Sequence, residues 1–580
     1  AMRVPTPNVS LIELVFCTKN EISKEKINSF FLKASKSKNN KVIGTISKSG
    51  MVSSAHPLAS EVGIDILKKG GNVFDAAIGV HFALSVVYPS AGNLGGGGFA
   101  VYRLNNGDVG TLDFREKAPK LSFRNMYLKE ENGELIVDDN KSKLGHLASG
   151  VPGSVDGMVT LHERFGSLSW STLLDPSIIL AKNGFNITKK QSASLNKVKS
   201  SFQKVNDKPI SFINELKWKE NDVLIQDDLG NTLSRIKTDK RNGFYSGITS
   251  ELILNEMING GGIITKDDLE NYSSIWREPV IGYYKSHKII SMGPPSSGGI
   301  ALNQLLKGAE MLKVSNLKHN SSDYVHLLSE IESRVYADRA TYLGDPDFYN
   351  VPQKKLISSN YLSERFGTIN HLKTPSNQIK EGDIDLIESE ETTHFSIVDK
   401  FGNAISVTTT INGAYGSKVV VDGAGFLLNN EMDDFSVKPG HPNMFGLVGG
   451  EANSIEPNKR MLSSMSPTII EKDNNLFMVL GTPGGSTIIT SVFQTILNVI
   501  DFNMGMQEAV DAKKFHHQWL PDFLIVEKNT LKSDLKNNLI EIGHKINERS
   551  SLGRMDCILI KNGVLEGGAD KRGDNTALGY

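Results

Sequence analysis

Thr392 and Thr393 open the run Thr392-Thr393-His394-Phe395-Ser396-Ile397-Val398-Asp399, whose residue types suit acyl transfer. The stretch before it, Glu381 to Glu391, is rich in acids and isoleucines and follows neither a helical nor a strand period. Phe395 and Ile397 then alternate with Ser396 and Val398. Lys400 to Asn403 supplies a turn, and Ala404 to Ile411 returns as a second strand rich in Val and Thr. A threonine hydroxyl is a weak nucleophile until a base stands beside it. Scission of the Glu391–Thr392 peptide would create that base, because a new α-amine titrates near pH ~8 and can take the proton of its own residue's hydroxyl. Taken alone, the Thr-Thr pair reads as two β-branched residues opening a strand.

Three motifs downstream of Thr392 change that reading. Asn429-Asn430-Glu431-Met432-Asp433-Asp434-Phe435, Lys459-Arg460-Met461-Leu462-Ser463-Ser464-Met465-Ser466-Pro467-Thr468 and Gly481-Thr482-Pro483-Gly484-Gly485-Ser486 come in order, all within one hundred residues of it. Together these motifs resemble the small subunit of the γ-glutamyltranspeptidases, members of the N-terminal-nucleophile hydrolases, and the resemblance runs from about Met51 to Tyr580. It implies an α+β fold, a four-layer α-β-β-α sandwich built jointly by a large and a small fragment. Residues 1–48 would be a leader, 49–391 the large fragment and 392–580 the small catalytic one, the two pairing as a heterodimer. It also implies that Thr392 cleaves the chain and then attacks the γ-amide of glutathione and related γ-glutamyl compounds. Water or an amino-acid or peptide acceptor would resolve the ester, without metal or organic cofactor.

A γ-glutamyl group presents an ammonium, a carboxylate and the amide to be cut, and the positions matching the family answer each. Asp434 and Glu431, with Asn412, would cradle the ammonium. Arg115, with the hydroxyls of Ser463 and Ser464, would hold the carboxylate, for which a planar guanidinium is geometrically suited. Gly484 and Gly485 would offer N–H groups to the oxyanion, because glycine lets the main chain approach closely. The family places the Thr410 hydroxyl against the nucleophile. Pro439 to Gly450 resembles its lid loop, with Phe445 where many bacterial members have tyrosine, and some members carry glutamine in place of Glu431.

Three other readings compete. A glutaryl- or cephalosporin-type acylase shares the scaffold but cleaves side chains lacking the α-amine, so the acid cradle argues against it. A poly-γ-glutamate depolymerase would be obstructed by the lid. A binding protein for amino acids that never cleaves itself would run as one band on a gel.

The remaining sequence sets limits. The 580 residues carry 39% hydrophobic and 22% charged residues, the balance of an ordinary globular protein. A net charge of −1 gives no basic surface for nucleic acid. Cys17 and Cys557 are the two cysteines, one near each end, so neither a disulfide framework nor a thiolate metal site is expected. No window of about twenty apolar residues predicts a membrane span. Arg3 followed by Leu11 to Cys17 is a faint export signal interrupted by Glu13. A periplasmic or secreted location therefore follows from the resemblance more than from these residues. Lys19 to Lys48 reads as a mobile leader or an exposed helix.

The glycine run Gly92 to Gly98 precedes a strand and lacks the lysine of a phosphate loop, so turn and close packing explain it better. Gly150 to Gly157 lacks the order of a nucleophile elbow and reads as a helix start. His516 and His517, being adjacent, point apart and have no carboxylate at ligand spacing. Strands are expected at Met51–Ser54, Gly425–Leu428, Met465–Ile470 and Phe477–Leu480. Helices are expected from Pro57, over Phe74 to Val87 with His81 in the core, after a Ser321 or Ser322 cap, and over Thr487–Ile500. Neither repeats nor a composition break divides the chain, which predicts one interleaved fold.

Overall fold

Alternation along the strand runs and apolar faces on the helices resolve into layers. The computed structural model of the chain describes residues 2–5, 11–14, 42–138, 140–379 and 392–580. Residues up to Val42 form a unit of their own, in which Met2–Pro5 pairs antiparallel with Leu11–Leu14. Most of the expected leader, with Cys17, lies outside the described residues. Near its end, Thr45–Ser47 pairs with Leu565–Gly567 at the edge of a sheet.

From Ile43 onward the chain builds two seven-stranded antiparallel sheets. In chain order the strands begin β1 (Thr45–Ser47), β2 (Met51–Ser54), β3 (Gly97–Arg103), β4 (Val109–Phe114), β5 (Ile275–Arg277), β6 (Val280–Tyr284) and β7 (His287–Ser291). They continue as β8 (Thr393–Val398), β9 (Ala404–Thr410), β10 (Thr468–Lys472), β11 (Asn475–Gly481), β12 (Asp556–Lys561), β13 (Val564–Ala569) and β14 (Thr576–Gly579). One sheet runs β5-β4-β3-β9-β8-β2-β14 and the other β6-β7-β10-β11-β12-β13-β1. Hydroxyls stitch the two inner faces: Ser406 Oγ donates to Leu480 O at 3.1 Å and Ser396 Oγ to Asp556 O at 2.9 Å.

Helices cover both outer faces. On one side lie α1 (Pro57–Lys68) and α2 (Val73–Val87), the latter buried all round, His81 included. On the other lie α3 (Gly298–Met311), α4 (Ser322–Tyr342) and α5 (Thr487–Ile500). Ser321 caps α4, its hydroxyl accepting from Tyr324 N at 3.3 Å. The order helix–sheet–sheet–helix is the expected sandwich.

Two strand expectations shift. Gly425–Leu428 forms no ladder; Leu427 and Leu428 make isolated bridges to Val420 and Gly95, so its apolar residues pack without a strand partner. The strand placed at Met465–Ile470 begins instead at Thr468, because Pro467 has no N–H to donate and Met465 N is held by Ser463 Oγ at 3.2 Å. The glycine run packs as expected: a Cβ on Gly96 would stand 2.1 Å from Thr410 O.

Candidate active site

Thr392 stands immediately before β8, a strand with neighbours on both sides, and is 4% exposed. Glu391 lies outside the described residues. Thr392 lines a narrow residual cavity of about 20 Å³ with Arg115, Thr410, Asn412, Asp434, Phe445, Ser463, Ser464 and Gly485. Eight of the residues singled out from the sequence thus meet it at one place. That volume holds about one water molecule and no glutamyl group. A larger cavity of about 1010 Å³ contains none of them. Of its charged lining, Arg365 pairs with Asp338, Arg334 with Glu330 and Lys373 with Asp522.

Thr410 ends β9, and its hydroxyl accepts from Asn412 N at 2.7 Å. That bond goes with a left-handed Asn412, φ +67°, a conformation asparagine tolerates. The Asn412 side chain donates to Asn430 O at 2.9 Å, which ties the end of β9 to the acidic turn.

The turn Glu431–Asp434 is a single 3₁₀ turn, and it divides its acids. Asp433 is fastened to Ser142 Oγ at 2.6 Å and to Met444 N at 2.7 Å. Glu431 and Asp434 both reach Arg115, at 2.7 Å to Nη1 and 2.6 Å to Nη2. Burial opposes the charge of Arg115, but Glu431, Glu116 and Asp434 outweigh it and hold the guanidinium above its ordinary value. Burial drives the carboxyls of Glu431 and Asp434 upward, with Arg115 opposing in both. Burial also pushes Glu116 up to about 8. Arg115 therefore spends its two terminal nitrogens on the acids, while its Nε donates to Met461 O at 3.3 Å.

Ser463 and Ser464 sit on the cavity wall, buttressed by the Pro294–Gly299 loop: Ser463 N donates to Pro295 O at 2.9 Å, and Ser297 Oγ to Ser463 O at 2.7 Å. Arg339, which sequence reading passed over, also lines the cavity, donating from Nη2 to Ser464 Oγ and from Nε to Ser297 Oγ, each at 3.0 Å.

Gly484 and Gly485 both have positive φ, +138° and +50°, and lead into α5. Neither N–H has an acceptor among the described residues, and a helix amino terminus favours negative charge. Phe445 closes the cavity over this turn; a Cβ on Gly485 would lie 2.5 Å from its ring. The loop is held by Gln518 Nε2 to Phe445 O at 3.0 Å and by Asn443 Nδ2 to Asp434 Oδ1 at 3.1 Å. His394, within β8 itself, bonds neutral hydroxyls through both ring nitrogens, and burial lowers its pKa to about 3. His516 likewise contacts Thr490 and Gln518.

The family model described as Gamma-glutamyltranspeptidase matches residues 59–580. A second model, for the C-terminal domain of glyceraldehyde 3-phosphate dehydrogenase, matches residues 1–63. The chain is 42% identical over 539 residues to the glutathione hydrolase proenzyme of Escherichia coli (strain K12), covering 92% of each. It is 34% identical to the acylase ACY 1 proenzyme of Pseudomonas sp. (strain SE83), over 91% of this chain and 93% of that one. Among solved structures, Helicobacter pylori gamma-glutamyltranspeptidase matches with a TM-score of 0.55 at 44% identity, over 61% of this chain and 99% of the other. Cephalosporin acylase from Bacillus halodurans shares the fold, with a TM-score of 0.79 at 24% identity over 98% of this chain and 99% of its own. On the match across 59–580 and these identities, the chain belongs to the γ-glutamyltranspeptidase family.

Proposed function

We propose that the chain is a self-cleaving γ-glutamyltransferase and glutathione hydrolase with Thr392 as its nucleophile. The observation that carries this is the meeting of Thr392, the Gly484–Gly485 turn and a charged acid–arginine cluster around one cavity. In the first phase Thr392 Oγ attacks the Glu391 carbonyl, the peptide shifts to an ester, and water releases fragments 1–391 and 392–580. In the second, the freed α-amine takes the hydroxyl proton and Oγ attacks the γ-amide. The leaving amine takes up that proton, and a γ-glutamyl ester remains for water or an acceptor amine to resolve. Two half-reactions through a covalent intermediate give ping-pong kinetics.

Asp434, with Glu431 and Asn412 behind it, receives the substrate ammonium; Arg115, Ser463 and Ser464 face its carboxylate; Gly484 and Gly485 stabilise the oxyanion. Thr410 orients the nucleophile, and Phe445 is the lid. Two carboxylates, Glu431 and Asp434, share the single guanidinium of Arg115, so the second acid has room for an ammonium that a substrate without an α-amine would not bring, and this favours the present reading over the acylase one. A periplasmic or secreted location belongs to the same proposal, rests on the family likeness, and is tested by fractionating expressing cells.

The test is a gel and a sequencing run. Apportioning 63.5 kDa over 580 residues, active protein runs as bands of about 43 and about 21 kDa, the lighter reading Thr-Thr-His-Phe-Ser. Thr392→Ala stays uncut and inactive towards a γ-glutamyl anilide. Normal processing in that variant, or a different first residue, refutes the assignment.

A further inference from the structure

Glu332, Tyr336 and Arg339 recur every three or four residues along α4, so they share one side of the helix, and all three are buried. Each fastens a different piece of chain from beyond residue 391. Glu332 Oε2 accepts from His517 N at 2.8 Å, beside the Gln518 that holds Phe445 O. Arg339 Nη2 donates to Ser464 Oγ at 3.0 Å. Between them, the Tyr336 hydroxyl donates to Ser486 O, the carbonyl directly after the Gly484–Gly485 turn. Thr487 closes that turn from within, its N and Oγ1 donating to Gly484 O at 2.9 and 2.7 Å. Those two bonds fix the first carbonyl of the turn, and Tyr336 fixes the last. The Tyr336 ring is 2% exposed and stands edge-on to His516, centroids 5.4 Å apart, while His516 Nδ1 meets Thr490 Oγ1 of α5 at 2.8 Å. Its packing thus holds the hydroxyl in register with α5. Tyr336 does not itself line the cavity.

We infer that Tyr336 is a positioning residue for the oxyanion site: through Ser486 O, its hydroxyl sets the direction of the Gly484 and Gly485 N–H groups. The inference rests on the γ-glutamyl reading above and adds to it a residue that touches neither substrate nor nucleophile. Glycine peptides at φ +138° and +50° rotate with little steric hindrance, so their own backbone does not hold the N–H vectors. Donors stabilise a developing oxyanion in full only when they are already aimed at it. A side chain from α4 supplies the stiffness that two consecutive glycines lack. Removing the hydroxyl leaves ground-state binding of the head group untouched, and only the tetrahedral stage loses stabilisation.

The test is Tyr336→Phe, which keeps the ring and deletes the donor. The expected result is a fall in kcat for γ-glutamyl anilide of about ten-fold with KM within about two-fold, the pattern of an interaction made only in the transition state. Two inhibitors separate positioning from general support. 2-Amino-4-boronobutanoic acid takes Thr392 Oγ onto its boron, and the tetrahedral boronate places an oxygen in the oxyanion site; its Ki should rise about ten-fold in the variant. 2-Aminobutyrate carries the same head group and no such oxygen, so its Ki should stay within about two-fold. Two Ki values that rise alike would make Tyr336 a structural support and overturn the inference, as would an unchanged kcat. Should the variant stay uncut, its thermal midpoint decides. One within about 2 °C of uncut Thr392→Ala keeps the inference, because scission also passes through an oxyanion, and a larger drop overturns it. A wild-type protein that cuts itself but ignores γ-glutamyl anilide would sink the parent reading, a result distinct from any of these.

Discussion

Asn443 donates from Nδ2 to Oδ1 of Asp434 at 3.1 Å, so the loop that carries Phe445 is fastened to an acid of the proposed ammonium cradle. On the proposed function, lid position and head-group recognition would share one carboxylate. Replacing Asn443 by Ala removes a hydrogen bond to a charged group, worth roughly 1.5–3 kcal/mol. The expected result is a rise in KM for γ-glutamyl anilide on the order of ten-fold, with the thermal midpoint little changed, read from initial rates and a melting curve.

Gly485 faces the Phe445 ring so closely that a Cβ would stand 2.5 Å from it, on backbone with φ +50°. Gly485→Ala should displace the lid and turn an oxyanion donor at once. A loss in kcat on the order of 10² to 10³ is expected, the usual effect of one such donor. Phe445→Ala relieves only the lid, and its kcat should fall much less. Equal losses in the two variants would remove Gly485 from the oxyanion site.

Arg115 is ringed by acids at 2.7 and 2.6 Å, Glu431 fully buried and Asp434 partly so. Arg115→Met leaves those charges uncompensated, which should lower stability by about 3–5 kcal/mol in urea unfolding. Adding Glu431→Gln should recover part of that loss. Lysine at this position should not restore it, since one ammonium cannot bridge both carboxylates as the fork does.

His394 has its pKa lowered to about 3 by burial, against 6.5 for the unfolded chain. The unfolded state thus binds a proton below pH 6.5 that the folded state refuses, and the stability owed to the neutral ring is full above pH 6.5 and shrinks as pH falls. The stability margin of the wild type over His394→Gln should narrow by about 2 kcal/mol between pH 6.5 and 5. A margin independent of pH would mean the ring is charged in the fold.

Much of this site could be read from the order of residues. The strand entered at Thr393, the helix Thr487–Ile500 and the pairing of Glu431 with Asp434 on one turn follow from alternation, period and spacing. Arg339 could not be found that way. Its helix reads as having one apolar side, yet Ser329, Glu330, Glu332, Ser333, Arg334 and Asp338 are buried too. Periodicity treats polar residues as solvated, and only tertiary partners reveal a buried polar face. Gly425–Leu428 failed for the complementary reason: an apolar run reports burial and carries no record of whether a ladder partner exists. The double engagement of Arg115 was equally illegible, because Arg115 and the Glu431–Asp434 turn lie over three hundred residues apart and meet only through β3, β4 and β9.

The register of one sheet has a mechanical consequence. β8 and β9, from beyond residue 391, lie between β3 and β2, which come from before it, and β2 in turn is flanked by β14 from the far end of the chain. Scission ahead of Thr392 would thus yield two polypeptides laced strand through strand. Pulling them apart would mean unzipping three ladders of that sheet and two more, β7–β10 and β13–β1, in the other, so the pair should neither exchange partners on dilution nor melt in separate steps.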